Sequence, residues 1–272
     1  MIGRSIHNVL CEEGVASVKF INYPEFWENQ FSDLITEEST IYWTFGGRNH
    51  IRLNFPSEVE AMQRFLNLKR VQENRPKIVY LSSGEVYGNS PIPFTIIDPP
   101  NPISEYGITK LIIESFLKEF SKEYSILVQI HRLANVYGQS NLASQKNLIA
   151  KLLQAGRKTS TRVKMTVNTE SRKQYGSVSD YAREICLHAV FSGLRNPRFE
   201  IHNIAPDFSY SVGEIINYVS RILKVNPHEL VVNLDEAVML PLDNRLIVPH
   251  YIADFEWSRI EQSFVNLNDV AF

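Results

Sequence analysis

The chain has 272 residues, of which 44% are hydrophobic and 21% charged, with a formal net charge of −2. That length fits one large α/β domain, or a main domain with a smaller lobe, and is ample for a buried core. The charge gives no reason to expect nucleic-acid binding, no run approaches the ~20 apolar residues of a membrane helix, and no secretory signal pattern opens the chain.

In chain order, Ile6, Val9 and Leu10 predict a first helix that ends at Gly14. Val18–Ile21 reads as a strand, and 41–45 as another, ending in Gly46-Gly47. Val59, Met62, Phe65 and Leu66 recur at helical spacing and predict one helix from Pro56 to Arg70. Ile78 to Leu81 is a short apolar run that reads as a buried strand, stopping at Ser82, Ser83 and Gly84. A proline-rich loop follows (Pro91, Pro93, Pro99, Pro100, Pro102), then a helix carrying Tyr106 and Lys110 on to about Tyr124, then a strand at 126–130. Beyond Gly138 the pattern loosens. A helix is predicted over 147–154, closed by Gly156, and Ser211 to Glu214 is a capping box opening another through Ile222. Strands alternating with helices predict a parallel sheet. Cys11 and Cys186 stand apart in sequence and read as two buried thiols of a reducing cytoplasm. The seven histidines include no ligand-spaced pair near carboxylates, so no metal site is expected.

Tyr106 and Lys110 carry the chemistry. Four residues apart on a helix, they share a face one turn from each other. A free phenol ionises near pH ~10, and an ammonium one turn away favours the phenolate. Each unit of such a shift corresponds to about 1.4 kcal/mol. The pair is thereby suited to act as general acid/base on an alcohol proton. Ser83 lies at the carboxyl end of a predicted strand, where open α/β sheets bind ligands, and its hydroxyl is suited to hold the same substrate oxygen.

Two motifs extend this reading. Ser82-Ser-Gly-Glu-Val-Tyr-Gly88 and Asn101-Pro-Ile-Ser-Glu-Tyr-Gly-Ile-Thr-Lys110 match the patterns Ser-Ser-x-x-Val-Tyr-Gly and Asn-Pro-x-Ser-x-Tyr-Gly-x-x-Lys. Arg132 to Gly138, Lys173 to Asp180 and His202 to Ala205 add further likeness downstream. The chain resembles the extended short-chain dehydrogenase/reductases of the NAD-dependent nucleotide-sugar epimerase/dehydratase group, over almost its whole length. The resemblance implies a Rossmann-type parallel sheet flanked by helices, with a dinucleotide-binding domain over 1–138. A smaller substrate lobe over 139–272 would interleave with Rossmann elements.

By the same resemblance Ser83, Tyr106 and Lys110 are the catalytic residues. Gly3, Asn22, Phe45, Asn54, Tyr106 and Lys110 would hold the cofactor. Asn54 reads equally as a helix N-cap, and Asn22, where an acidic ribose ligand is usual, leaves NAD and NADP both open. Ser83, Glu85, Asn135, Arg172 and Lys173 would face the nucleotide-sugar substrate, with Glu85 equally readable as a loop carboxylate. Gly84 stands where related dehydratases carry an acidic residue, which disfavours dehydration. A cytoplasmic homodimer through helices at 56–70 and 106–124 is expected.

Gly3 looks like the last glycine of a Gly-x-x-Gly-x-x-Gly fingerprint whose first strand and first two glycines are missing. In the strand order 3-2-1-4-5-6 that loss would leave a gap in the sheet. Two explanations stand open: a start placed at an internal methionine, which the intact downstream pattern favours, or a truncated relative. The function expected is epimerisation or keto-reduction of a nucleotide-linked sugar. The alternative is a catalytically impaired binding relative with a regulatory or assembly role.

Overall fold

The computed structural model describes residues 2–28, 31–45, 58–138, 148–157, 162–165, 168–191, 198–233, 242–243, 245–248 and 255–260. Its elements are α1 (Ile2–Glu12), α2 (Tyr23–Trp27), β1 (Thr40–Trp43), α3 (Glu58–Leu66), α4 (Lys69–Asn74), β2 (Lys77–Ser83), α5 (Glu105–Tyr124), β3 (Val128–Leu133), β4 (Asn135–Tyr137) and α6 (Leu148–Arg157). After these come β5 (Val163–Met165), β6 (Arg172–Lys173), β7 (Tyr175–Ser177), α7 (Val178–Phe191), β8 (Phe199–Ile204), β9 (Tyr210–Ser211), α8 (Val212–Leu223), α9 (Pro227–Leu230) and β10 (Val231–Asn233). Among the described residues, no helix is long and apolar enough to cross a membrane.

Two compact units divide the chain. The first takes residues 1–88, 99–133 and 182–204. It holds a parallel sheet in the order β1-β2-β3-β8, flanked by helices. The register sets Ile78 beside Val128 and Tyr80 beside Ile130. Because side chains alternate across a strand, these four residues share one face. They bury against α3 and α5 in a core with Met62, Phe65, Ile113 and Leu117. On β3 the intervening residues are polar: Gln129 and His131 are buried on the opposite face. The second unit takes 89–98, 134–181 and 205–272. Its core gathers Ile149, Leu152 and Leu153 of α6, Tyr175 of β7, and Ile215, Ile216 and Val219 of α8. The capping box of α8 is present: Ser211 Oγ accepts the Glu214 N–H at 3.1 Å, and Glu214 Oε2 accepts the Ser211 N–H at 2.6 Å.

Four expectations are corrected. Val18–Ile21 forms no strand, because a strand needs a hydrogen-bonded neighbour, and among the described residues the sheet ends at β1. The helix expected over 56–70 is two helices where it is described: Leu68 is extended (φ −67°, ψ 124°), which packs it on the core and breaks the helical ladder. Residues 56 and 57 lie outside the described residues, as do Gly46, Gly47 and Asn147. Gly156 lies inside α6 rather than closing it. Cys11 is exposed on α1, and only Cys186 is buried.

Candidate active site

Strand β2 delivers Ser83 to the carboxyl end of the sheet, where the chain turns into a 3-10 helix over Gly84–Tyr87. Ser83 Oγ caps that turn by accepting the Glu85 N–H at 3.2 Å, which leaves its own proton to donate. Glu85 reaches the next element: its Oε2 accepts a hydrogen bond from Ser104 Oγ at 2.7 Å. Ser104 is the N-cap of α5 and accepts the Gly107 N–H at 3.0 Å. Gly107 is required for this approach, since a Cβ there would stand 2.5 Å from the Glu85 carbonyl oxygen. The carboxylate therefore ties the loop after Ser83 to the helix that carries Tyr106, which favours its reading as a loop carboxylate.

Lys110, one turn further on, is 2% exposed. Its Nζ donates to Leu81 O at 2.9 Å and to Glu58 Oε1 at 2.7 Å. The ammonium lies 5.5 Å from the centre of the Tyr106 ring and 4.8 Å from that of Tyr80. Tyr80 Oη donates to the same Glu58 oxygen at 3.0 Å. Burial, and then the Glu58 charge, hold the Tyr80 phenol well above its ordinary value, so Tyr80 serves that carboxylate as a neutral donor. Tyr106 itself is half-buried. Sequence reasoning singled out Tyr106 and Lys110 but not Glu58 or Tyr80, whose roles rest on contacts across 52 and 22 residues of chain.

A second buried pair lies one helical turn along α5. Glu114 accepts from Ser82 Oγ at 2.5 Å and from Arg132 Nε and Nη2 at 3.1 and 2.6 Å. Burial opposes the Arg132 charge, and Glu114 more than offsets it. The guanidinium lies over Tyr87, 4.7 Å from the ring centre, and Tyr87 Oη donates to Asn203 Oδ1 at 2.8 Å. Ser82 is thus structural, its hydroxyl held by Glu114.

The residues expected at the cofactor are partly in view. Gly3 lies in the first turn of α1, where a Cβ would stand 2.4 Å from Thr44 Oγ1 and 3.3 Å from the Phe20 ring. Thr44 follows β1, so α1 starts at the carboxyl end of the sheet, and Gly3 allows the close helix–strand approach that the last fingerprint glycine supplies. Phe45 is half-buried, its ring edge-on to Trp43. These residues fit a dinucleotide lying across the carboxyl ends of the strands. Asn22 is occupied locally: its Oδ1 accepts the Glu25 N–H at 3.2 Å, and its own N–H donates to Glu25 Oε2 at 3.0 Å. Asn54 lies outside the described residues.

In the second unit, Asn135 Nδ2 donates to Gln174 O at 3.0 Å. The β6 residues Arg172 and Lys173 are half-buried. Arg172 donates through Nε to Ser209 Oγ at 3.0 Å and through Nη2 to Ser209 O at 2.9 Å. Glu214 Oε2 lies 3.9 Å from its Nη1. The guanidinium is fixed by its own unit while keeping 40% of its side-chain surface exposed.

Comparison with known proteins gives concordant results. The NAD dependent epimerase/dehydratase family matches residues 51–205, more than half of the chain. A dTDP-4-dehydro-6-deoxyglucose reductase of Escherichia coli is 26% identical over 153 residues, which are 56% of this chain and 47% of that protein. A putative UDP-glucose 4-epimerase of Methanocaldococcus jannaschii is 42% identical over 65 residues, 23% of this chain and 21% of that protein. The matched stretches thus span less than half of either relative. Among solved structures, MoeE5 in complex with UDP-glucuronic acid and NAD superposes with a TM-score of 0.74 at 19% identity, covering 96% of this chain and 92% of that one. At that identity the likeness speaks for the fold: a Rossmann-like parallel sheet flanked by helices.

Proposed function

The chain belongs to the NAD-dependent epimerase/dehydratase family, and on that premise we propose that it epimerises or reduces a nucleotide-linked sugar, with Tyr106 as general acid/base. The observation that carries this reading is the Lys110 ammonium, 5.5 Å from the Tyr106 ring on the helix whose N-cap is tied to the loop after Ser83. The reductase and epimerase likenesses, and a neighbour that holds a UDP-sugar with NAD, support the substrate class.

Bound NAD supplies a hydride acceptor and donor. Tyr106 Oη takes the proton of a ring hydroxyl, or returns it. Ser83 Oγ donates to the same oxygen and orients it. Lys110 steadies the phenol and the nicotinamide ribose. Gly3, Phe45 and Asn54 hold the dinucleotide. Asn135, Arg172 and Lys173 take the nucleotide diphosphate, Arg172 with a forked guanidinium and Lys173 with a point charge. Gly84 offers no acid to expel a hydroxyl, which disfavours dehydration.

The test is incubation with UDP- and dTDP-sugars and their keto forms, following reduced-nicotinamide absorbance and product stereochemistry. Net consumption of reduced cofactor means reduction, and a new epimer without net consumption means epimerisation, the outcome we favour. No turnover on any of them rejects the proposal. A binding module is the second reading, and cofactor binding without turnover on any sugar nucleotide is the outcome that would favour it.

A homodimer through α3 and α5 is part of the proposal. Ile108 and Ile112 are exposed on α5. A shallow hollow between the two helices is lined by Leu66, Phe116 and Phe120 together with Gln63, Asn67, Glu119 and Glu123, so the face there is mixed in character. Light scattering during gel filtration tests it, and a monomer mass at micromolar concentration rejects it.

A further inference from the structure

Glu58 opens α3, and its side chain is 5% exposed. One oxygen, Oε1, takes both the Lys110 ammonium at 2.7 Å and the Tyr80 hydroxyl at 3.0 Å. With Leu81 O at 2.9 Å, the ammonium is held by groups from α3 and β2 while its stem belongs to α5. Three elements therefore fix one charge beside the Tyr106 ring. Stability alone gives little reason for such a pair, since well-packed apolar side chains of similar volume are commonly as stable as a buried ion pair or more so.

We propose that Glu58 is a positioning residue that acts through Lys110 to set how readily Tyr106 ionises. This rests on the reading of Tyr106 as the acid/base. A bare ammonium near a phenol favours the phenolate. With a carboxylate 2.7 Å away on the same nitrogen, Tyr106 faces a compact dipole, whose field falls off faster than that of a single charge. Glu58 thus does two things: it fixes where the ammonium stands, and it moderates the charge presented to the phenol. The side chain thereby matches Tyr106 to a proton that must be both taken and returned. An unopposed ammonium would hold the phenolate and weaken it as a base.

The test reads Tyr106 in the cofactor-free protein, by ultraviolet tyrosinate titration of each form against the same form carrying Tyr106→Phe. Glu58→Gln keeps the size and an accepting oxygen but removes the charge. It should move the Tyr106 midpoint about half a pH unit or more toward acid. Adding Lys110→Met to Glu58→Gln should abolish that shift, because the effect passes through Lys110. The apolar double variant Glu58→Met/Lys110→Met, which packing tolerates, should leave the midpoint within about half a unit of wild type. It provides the answer should Glu58→Gln fail to fold. An unmoved midpoint in Glu58→Gln, or a rise of about one unit in the apolar double variant, overturns the proposal. A shifted midpoint in a protein that turns over no sugar nucleotide keeps the role of Glu58 and removes the catalytic reading. Turnover without the shift does the reverse.

Discussion

Arg132 and Glu114 meet through two hydrogen bonds, Nε to Oε1 at 3.1 Å and Nη2 to Oε2 at 2.6 Å, with both side chains almost wholly buried. Breaking such a pair from one side strands a charge in the interior. Glu114→Ala is therefore expected to cost about 3–5 kcal/mol, read as a lower urea midpoint. Replacing both partners by methionine should recover most of that loss, because no charge is then left alone.

Tyr106→Phe keeps the ring and removes only the hydroxyl that moves the proton. Turnover should fall by about 10²–10⁴-fold, the usual contribution of a general acid/base. The thermal midpoint should stay within about 2 °C of wild type, as for a substitution outside the packed core. Undiminished turnover would remove Tyr106 from the mechanism.

A cluster of buried histidines makes stability sensitive to acid. His131 of β3, His202 of β8 and His188 of α7 lie with ring centres 5.1–5.7 Å apart. Glu200 stands on His202 at 3.1 Å, Glu184 on His188 at 3.2 Å, and Gln129 donates to Glu200. The Lys77 ammonium faces the group from β2 and donates to Ala189 O. Among the described residues, neither nitrogen of His131 has a hydrogen-bond partner. Burial first, then the neighbouring imidazoles and Lys77, hold His131 well below its ordinary value of 6.5. Burial and then His188 lower His202, against the pull of Glu200. The unfolded chain therefore takes up protons before the folded one does. Stability is complete above about pH 6.5 and is lost as pH falls from there through the folded values. Each proton contributes roughly 1.4 kcal/mol per pH unit in that window. Urea unfolding at stepped pH checks this, and His131→Leu should flatten the slope by about one proton.

Thiol labelling separates the two cysteines. Cys11 is exposed. The Cys186 thiol is pushed up to about 12 by burial and then by Glu13, which keeps it from forming the reactive thiolate. A maleimide should add once to the folded chain at neutral pH and twice after denaturation. Double labelling without unfolding would contradict the burial of Cys186.

How much of this was legible in the sequence follows from the range of each contact. The capping box at Ser211 and the helix bearing Tyr106 and Lys110 are written within a few residues, and each is present. The strand at 78–81 is legible because a continuous apolar run is what a sheet covered on both faces requires. Val18–Ile21 reads as a strand just as well, yet pairing depends on a neighbour that no local pattern supplies. Gln129, His131 and Arg132 interrupt the apolar pattern of β3, because their partners come from α5, α7 and β8. Glu58 is the sharpest case. A glutamate at the start of a helix reads as a solvated first-turn charge, and only the arrival of Lys110 makes it a buried one.

Strand β8 carries a consequence for biosynthesis. It completes the sheet against β3, but the chain first runs through two segments of the second unit, 89–98 and 134–181, before Phe199–Ile204 is made. On the ribosome, β1, β2 and β3 emerge with β3 still open along one rim. A nascent chain stalled before residue 199 would present that rim to any other extended polypeptide. Slow codons or a chaperone are thus expected to matter most in the interval between the third and fourth rungs of the sheet.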